Sequence, residues 1–448
     1  MGQRPGDAES DRRRVTPPAF ADLLRVFARI GCLSFGGPAG QIALMHREIV
    51  EQRGWVDEER YLHALNFCHL LPGPEAQQLA TWIGWRLHGV AGGLAAGLLF
   101  IIPGVIVMAA LAMLYAVAAD LSWFAALFLG IKAAVLAIVV QALLRIAGRA
   151  LSTPFKKIIA AVAFAGLALF ALPFPLVVLG AGLIGIVVAR VRPDWLGPAS
   201  KAPPVDALPP RPWRQSVRAV LIWGALWIAP MAAIALTLGR DNVYWDIGAF
   251  FSKLAAVTFG GAYAVLAYMA QDAVQGFGWL QAGEMADGLG LAETTPGPLI
   301  LVTQFVGFLA AFREPGTLSP MVAGLIGAAL TVWVTFVPCF LWIFTFAPWI
   351  DRMERAAWLR GGLATITAAV VGVIANLSLW FALHVLFTRV TVVRSGPVAT
   401  QWPDLASFDW RAGLLAAAAA LLIFRLRWGV MPVLALCAAL GWGLGQVT

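Results

Sequence analysis

Two short motifs occur twice in this chain at a single spacing. LSFGGPAG (33–40) returns as VTFGGAYA (257–264), 224 residues later. PGP (72–74) returns as PGP (296–298), also 224 residues later. Two different motifs that keep the same offset indicate an internal duplication.

The duplication extends to both sides of these motifs. The same offset joins three further pairs of residues: Arg29 and Lys253, Glu48 and Asp272, and Trp55 and Trp279. After an insertion of 11 residues around REPGTLSPMVAG (313–324) the offset becomes 235, and FIIPGVIV (100–107) then matches TFVPCFLW (335–342). The sequence therefore predicts two copies of one fold.

The composition places both copies in a membrane. Of the 448 residues, 60% are hydrophobic and 12% are charged, and the mean hydropathy is +0.80. Soluble domains carry about 25% charged residues. This composition excludes a soluble enzyme, a nucleic-acid-binding protein and a disordered scaffold. The net charge is +8, and most of the basic residues lie between the apolar runs. This distribution is typical of the cytoplasmic loops of a polytopic membrane protein.

Thirteen apolar runs meet or approach the length that a helix needs to cross a membrane. They lie near 20–45, 62–88, 90–118, 121–150, 157–172, 174–192, 216–238, 246–270, 285–311, 320–347, 358–388, 411–427 and 429–446. Arg and Lys cluster in alternate loops, which places the N-terminus inside the cell. The polar N-terminus precedes no uninterrupted apolar stretch, so no signal peptide is predicted. Short or broken runs could also be re-entrant, which would change the number of spans.

These runs predict an all-α polytopic membrane protein with five parts. The parts are a cytoplasmic N-terminal tail (1–19), a first repeat (20–192), a Pro/Arg-rich cytoplasmic linker (193–215), an extra transmembrane segment (216–238) and a second repeat (239–448). Because an odd number of spans separates equivalent points, the second repeat is predicted to be inverted relative to the first. Inverted repeats are typical of secondary transporters, whose site lies at the repeat interface. A duplicated scaffold of unknown use is the alternative.

Both motifs are expected to break a membrane helix and start a new one. Glycines relieve the backbone, and prolines prevent a continuous ladder of hydrogen bonds. Each new helix presents free N–H groups at the positive end of its dipole, which favours an anion. The predicted substrate-binding positions are Gly36, Gly37, Pro72, Gly73, Pro74, Glu75 and Gln78 in the first copy, and Gly260, Gly261, Pro296, Gly297 and Pro298 in the second. The alternative is that Gly and Pro are simply frequent in membrane helices.

Three cations inside apolar runs agree with an anionic substrate. Arg29 and Lys253 are equivalent in the two copies, and Lys132 aligns with Thr367. A charge inside a membrane span is costly and indicates function. The alternative for these residues is that their side chains reach the membrane surface.

Titratable side chains near the PGP motifs are candidates for proton coupling: His69, Glu75 and Glu293. Glu75 could equally be a first-turn carboxylate that complements the helix dipole. The histidines and cysteines match no metal-ligand spacing, so no metal site and no cofactor are predicted. Without a nucleophile elbow, a phosphate loop or a metalloprotease motif, no enzyme is predicted.

The stretch FGGPAGQIALMHREIVEQRGWVDEERYLHALNFCHLLPGPEAQQLATWIGWRLHG (35–89) resembles the first domain of the chromate ion transporter family. TFGGAYAVLAYMAQDAVQGFGWL and the later ETTPGPLILVTQFVGF resemble the second domain of its long-chain, two-domain members. The resemblance covers nearly all of the chain from about 20 to 446 and is weakest over 150–245 and 390–448. The second copy lacks equivalents of Glu75 and Gln77, so the two halves are expected to contribute unequally.

The resemblance implies a multi-pass protein of the bacterial inner membrane that exports chromate and confers chromate resistance. It further implies a secondary transporter with sulfate as a competing dianion. The titratable residues near the PGP motifs make H⁺ a candidate coupling ion, and the identity of the driving ion is left open. The residues by themselves predict only an anion-selective secondary transporter. The alternatives left open are a sulfate or other oxyanion carrier with incidental chromate transport and, more distantly, an intramembrane enzyme or a sensor. A homodimer is also left open.

Overall fold

The computed structural model describes residues 18–119, 121–197, 212–259, 262–396 and 398–446. Residues 1–17 of the predicted N-terminal tail and the middle of the predicted linker (198–211) lie outside these ranges. Within them the chain is mostly helical, as predicted. One element was not predicted, because a two-stranded antiparallel hairpin, β1 (Val390–Ser395) and β2 (Val398–Pro403), interrupts the last third of the chain.

The first half begins with three short helices and continues with longer ones. Its helices are α1 (Phe20–Leu33), α2 (Gly37–His46), α3 (Glu58–His69), α4 (Glu75–Ala118), α5 (Ser122–Ala150), α6 (Pro154–Phe170) and α7 (Phe174–Val191). A π-helical turn (Arg47–Glu51) follows α2, and a 3-10 turn (Pro193–Leu196) follows α7. α8 (Trp213–Thr237) then connects the two halves.

The second half repeats this order with one helix divided and with a short extra helix and the hairpin added. Its helices are α9 (Val243–Val257), α10 (Ala262–Gln271), α11 (Ala282–Thr294), α12 (Val302–Arg313), α13 (Pro320–Phe346), α14 (Ile350–Arg355), α15 (Ala357–Leu386), α16 (Trp410–Ala420) and α17 (Val430–Gly445). The π-helical turns are Asp272–Gly276 and Leu421–Arg425, and the 3-10 turns are Leu299–Leu301, Ala347–Trp349 and Leu405–Ser407.

Six helices in the described part of the chain are long and apolar enough to cross a membrane. The chain breaks at the predicted motifs inside four predicted spans. The spans 20–45, 246–270 and 285–311 are each a pair of short helices, and 62–88 consists of α3 and the first arm of α4. The number of thirteen spans stays a prediction.

α4 folds back on itself at a turn in its first half. His88 and Gly89 leave the helical conformation, and Gly89 has a φ of +62°. After this turn Gly92 lies against the carbonyl of Gly84, where an added Cβ would come within 2.3 Å of the oxygen. α12 and α13, which follow the second PGP, pack together in the same way through Gly307 and Gly327.

The C-terminal helices of each half pack on the other half. α6 and α7 contact α15, and α16 and α17 contact α5. Glycines allow both close crossings: Gly185 faces Gly361 where α7 meets α15, and Gly441 faces Gly130 where α17 meets α5. The described residues form one large apolar core that is shared by the two halves, and a smaller separate cluster lies where α6 and α7 meet α15.

Candidate functional site

The FGG segments are sharp breaks between short helices. α1 ends at Leu33 and α2 begins at Gly37, and Gly36 and Gly37 have φ values of +84° and +70°. Glycine adopts this left-handed conformation without the steric cost that a Cβ brings. The hydroxyl of Ser34 donates to the carbonyl of Ile30 (2.6 Å), which satisfies a carbonyl at the end of α1.

The helix before the second FGG break ends with an equivalent hydrogen bond. The hydroxyl of Thr258, which is equivalent to Ser34, donates to the carbonyl of Leu254 (2.5 Å). α9 ends at Val257 and α10 begins at Ala262. The predicted positions Gly260 and Gly261 lie outside the described residues.

Each PGP loop bonds to the FGG break of the opposite half. The amide of Gly73 donates to the carbonyl of Thr258 (2.8 Å), and the amide of Gly297 donates to the carbonyl of Ser34 (2.9 Å). Both glycines have positive φ values, +120° and +94°. Thus all four predicted breaks meet at the interface between the two halves.

The PGP loops also pack against a proline-containing helix of the opposite half. A Cβ on Gly73 would lie 3.0 Å from Sγ of Cys339 on α13, next to Pro338. A Cβ on Gly104, which is equivalent to Cys339 at the offset of 235, would lie 2.2 Å from the carbonyl oxygen of Pro296. The loops therefore lie closely packed between the breaks and these helices.

Buried glutamines surround the same loops. Gln41 donates from Nε2 to the carbonyl of Gly297 (2.6 Å), and Gln78 donates to the carbonyl of Pro72 (2.7 Å). Gln77 donates to the hydroxyl of Thr81 (3.1 Å). The Oε1 atoms of these three buried glutamines have no hydrogen-bond partner within the described part of the chain. Since an unpaired buried acceptor costs about 1–3 kcal/mol, this polar lining is typical of a functional site.

A buried carboxylate joins this region. Glu293, close to the end of α11, is 3% exposed and accepts a hydrogen bond from the hydroxyl of Tyr263 (2.8 Å). A Cβ on Gly37 would lie 3.8 Å from that hydroxyl. Glu293 is therefore close to both FGG breaks and to the second PGP loop.

The remaining predicted residues around the first PGP motif occupy two environments. Glu75 is buried at the first position of α4, which has no side-chain cap. His69 is exposed at the last position of α3. The buried Glu75 and Glu293 thus lie next to the two PGP loops.

Lys132 belongs to a second polar cluster. Its ammonium lies 3.2 Å from Oδ1 of Asp287, and the hydroxyl of Tyr115 donates to Oδ2 of the same carboxylate (2.7 Å). The ion pair joins α5 of the first half to α11 of the second.

Arg29 and Lys253 are exposed, and each lies beside a carboxylate or an aromatic ring of its own half. The guanidinium of Arg29 is 4.0 Å from the buried carboxylate of Glu48, which also pairs with Arg53 at 2.7 Å. The ammonium of Lys253 lies 5.5 Å from the centre of the Tyr268 ring.

Gln304 of α12 donates from Nε2 to the carbonyl of Val105 on α4 (3.0 Å), which is a further contact between the halves. Sequence reasoning did not single out Gln304 or several residues of the clusters above: Gln41, Tyr115, Tyr263 and Asp287. Gln41 and Gln304 could have been identified from the sequence, because each is a polar residue inside an apolar run. Tyr115 and Tyr263 had none, since their role depends on partners that are distant in sequence. No group of three His, Cys, Asp or Glu residues that could hold a metal ion occurs in the part of the chain that the structure describes.

Comparison with known proteins assigns the chain to a family. The profile of the family described as chromate transporter matches residues 21–186 and 245–442. The chain is 33% identical over 378 residues to the chromate transport protein of Pseudomonas aeruginosa, covering 83% of each chain. It is 28% identical over 370 residues to the probable chromate transport protein of Synechococcus elongatus, covering 82% of this chain and 86% of the relative.

A third relative, the chromate transport protein of Cupriavidus metallidurans, is 27% identical over 374 residues, covering 83% of this chain and 85% of the relative. No solved structure matches the chain. Since the family is one of transporters, the predictions of a multi-pass bacterial membrane protein and of a transport protein instead of an enzyme are confirmed. The chain belongs to the chromate transporter family.

Proposed function

We propose that this protein is a secondary active transporter that exports chromate across the bacterial inner membrane and thereby confers chromate resistance. The observation that carries the proposal is the pair of hydrogen bonds from Gly73 to Thr258 and from Gly297 to Ser34. They bring the four broken-helix segments together between the halves, where transporters built from repeats place their substrate.

The two halves, 20–192 and 239–448, are proposed to be inverted repeats. Contacts between equivalent residues are reciprocal, at the PGP loops and where α7 meets α15 and α17 meets α5. Two copies exchange contacts reciprocally when a two-fold axis relates them. An axis in the membrane plane would invert one copy, and α8, as the extra span, provides the odd number of crossings that this needs. Alternating access would then be a rocking of one half against the other.

Helix N-termini at the breaks are proposed to bind the oxyanion. α2, α4 and the 299–301 turn begin with Gly36, Pro74 and Pro298 at the N-cap position, and no side-chain cap occupies their first amides. Free amides and the helix dipole attract a tetrahedral dianion. The unpaired Oε1 atoms of the glutamines are acceptors, so they would contact water around the anion rather than the anion itself.

Coupling to protons is proposed to use the carboxylates beside the PGP loops. Glu293 and Glu75 are buried close to the proposed anion site, and a carboxyl there can exchange a proton as the site opens to either side. His69 is a third candidate at the end of α3. Arg29, Lys253 and Lys132 would supply compensating positive charge.

The relatives named as chromate transport proteins support chromate as the substrate. Sulfate has the same shape and charge, so the decisive experiment measures both anions. Everted membrane vesicles that contain the protein are supplied with radiolabelled chromate, with and without a proton gradient, and with sulfate as a competitor. Gradient-dependent uptake that is lost in Gly73→Leu supports the proposal. Uptake of sulfate but not of chromate would discard chromate and keep the anion carrier.

A matched control separates a local effect from a general one. Gly180 on α7 has open space around an added Cβ and an ordinary helical φ. Gly180→Leu is expected to retain chromate uptake. If neither anion is transported by the wild-type protein, the proposed function is wrong.

A further inference from the structure

The ion pair between Lys132 and Asp287 lies at the interface of the two halves. Asp287 on α11 is 5% exposed, and it receives the ammonium of Lys132 from α5 and the hydroxyl of Tyr115 from α4. The carboxylate thus belongs to the second half, and both of its partners belong to the first.

Few other charges act on this carboxylate. Glu284 lies one helical turn earlier on α11 and is held in an ion pair by Arg313 of α12. α15 and α17 also contact α11, but they contribute no charged group to Asp287 in the described ranges. Lys132 is therefore the cation that balances Asp287.

The fold itself does not require this pair. At the equivalent positions of the other half stand His63 for Asp287, Thr367 for Lys132 and Ile350 for Tyr115, so the ammonium–carboxylate pair exists once. A buried ion pair is often no more stabilising than apolar residues of the same size, and charges at membrane depth indicate function. Retention of the pair in one half alone therefore points to a role in transport.

The two partners differ in accessibility. The side chain of Lys132 is 24% exposed and that of Asp287 is 6% exposed. Lys132 lies against α11, because a Cβ on Gly283 would come within 3.4 Å of its ammonium. Asp287 precedes Glu293 by six residues on the same helix, a distance of about 9 Å along its axis. Of the two partners, the ammonium is thus the one that a ligand can reach more easily, and it lies against the helix that carries Glu293.

We propose that an oxyanion and the carboxylate of Asp287 compete for the ammonium of Lys132, so that the anion binds at Lys132 when Asp287 takes up a proton. This inference rests on the proposed function, and it adds an anion subsite and a linked proton site. With Asp287 ionised, the pair is neutral and the ammonium is occupied. With Asp287 protonated, the ammonium has lost its counter-charge and attracts a dianion.

The test is chromate binding to the purified full-length protein in detergent, measured by equilibrium dialysis with radiolabelled chromate at several pH values. Chromate itself takes up a proton near neutral pH, so each variant is compared with the wild-type protein at the same pH. If one proton is linked to binding, the chromate affinity of the wild-type protein falls by up to about tenfold per pH unit at pH values where Asp287 has lost its proton. Asp287→Asn, which is permanently uncharged, is expected to bind increasingly better than wild type as the pH rises.

Two further variants act as controls. Glu314→Gln removes an exposed carboxylate that follows α12, and the ratio of its chromate affinity to that of the wild type is expected to stay constant across the pH range. Lys132→Met is expected to weaken binding at every pH, because the ammonium is the proposed ligand.

If the ratio of the chromate affinity of Asp287→Asn to that of the wild type is constant across the pH range, the inference is overturned and the proposed function stays intact. If no protein in the series binds chromate, the proposed function falls together with this inference. Should Asp287→Asn fail to fold, Tyr115→Phe answers the same question, because it removes one donor from the carboxylate. In Tyr115→Phe the decrease of chromate affinity with pH is expected to occur at higher pH than in the wild type. If it occurs at the same pH, the inference is overturned.

Discussion

Gly73 and Thr258 lie in different halves of the chain and are joined by a hydrogen bond of 2.8 Å from the glycine amide to the threonine carbonyl. The equivalent residues of the opposite halves, Gly297 and Ser34, make the same bond at 2.9 Å. The PGP loop of each half is therefore bonded to the FGG break of the other half. A movement of one half against the other must change both of these contacts, which we call the junctions. The junctions need a backbone donor in a left-handed conformation, which explains why glycine stands at the centre of both PGP loops.

Alanine at the two PGP glycines is expected to damage transport to different degrees. A Cβ strains both backbones, at a cost of about 1–3 kcal/mol. At Gly73 it would also meet Nε2 of Gln78 at 2.9 Å and Sγ of Cys339 at 3.0 Å, whereas at Gly297 the nearest atom is 3.2 Å away, on the flexible side chain of Leu301. Because about 1.4 kcal/mol corresponds to a tenfold change in rate, Gly73→Ala should lose at least about fivefold in chromate flux and more than Gly297→Ala.

The measurement is initial chromate uptake into everted vesicles, normalised to the amount of protein in the membrane. Gly180→Ala serves as the control with open space around the new methyl group. Equal flux in wild type and Gly73→Ala would contradict the role assigned to the junction.

The exchange of helices between the halves predicts a stability effect far from the breaks. A Cβ on Gly130 of α5 would lie 1.8 Å from the carbonyl oxygen of Cys437 on α17, so Gly130→Ala must push the two helices apart. Overpacking of this kind costs about 1–3 kcal/mol. We expect a lower Tm of the detergent-solubilised protein, measured by tryptophan fluorescence.

Gly148 lies on the same helix and has open space around an added Cβ. Gly148→Ala is expected to keep the Tm or raise it, because alanine favours a helix over glycine by about 1 kcal/mol. If both alanine variants have the same Tm as the wild type, the close crossing of α5 and α17 is not present in solution.

The breaks were predictable from the sequence, and their mutual contacts were not. Glycine and proline act locally, so the ends of α1, α3, α9 and α11 follow from FGG and PGP. The bond from Gly73 to Thr258 joins residues 185 positions apart, and no local preference encodes it. Only the repeat offset carried information about the interface, because it identified which residues are equivalent.

The charged residues illustrate the same limit. Lys132 was predicted as a site residue because it is a cation in an apolar run, but no sequence pattern connected it to its partner Asp287. The hairpin of β1 and β2 was missed for another reason. It falls between the predicted runs 358–388 and 411–427, where the repeat offers no similar segment.

Arg29 gives a direct test of the proposed compensating charge. Arg29→Ala is expected to abolish chromate flux while the amount of protein in the membrane stays unchanged, because a dianion needs nearby positive charge. Arg25→Ala is the matched control, since Arg25 lies on the same helix, is 80% exposed and pairs only with the nearby Asp22 among the described residues. Unchanged flux in Arg29→Ala would remove Arg29 from the site and leave it as a partner of Glu48.

Glu293 is expected to couple transport to protons. Its carboxylate is buried, accepts a hydrogen bond from Tyr263 and lies directly before the second PGP loop. Glu293→Gln keeps the size and the hydrogen bond but cannot exchange a proton. Accumulation of chromate against a gradient should be lost, whereas exchange of chromate for chromate across the membrane should continue, because that exchange needs no net proton movement.

The two activities are measured in the same vesicles, the first with an imposed proton gradient and the second with radiolabelled chromate outside and unlabelled chromate inside. Glu314→Gln, an exposed carboxylate after α12, is expected to retain both. Loss of accumulation and exchange together would mean that Glu293 shapes the path itself. Retention of both in Glu293→Gln would transfer the coupling role to Glu75 or His69, whose neutral variants would then be measured in the same way.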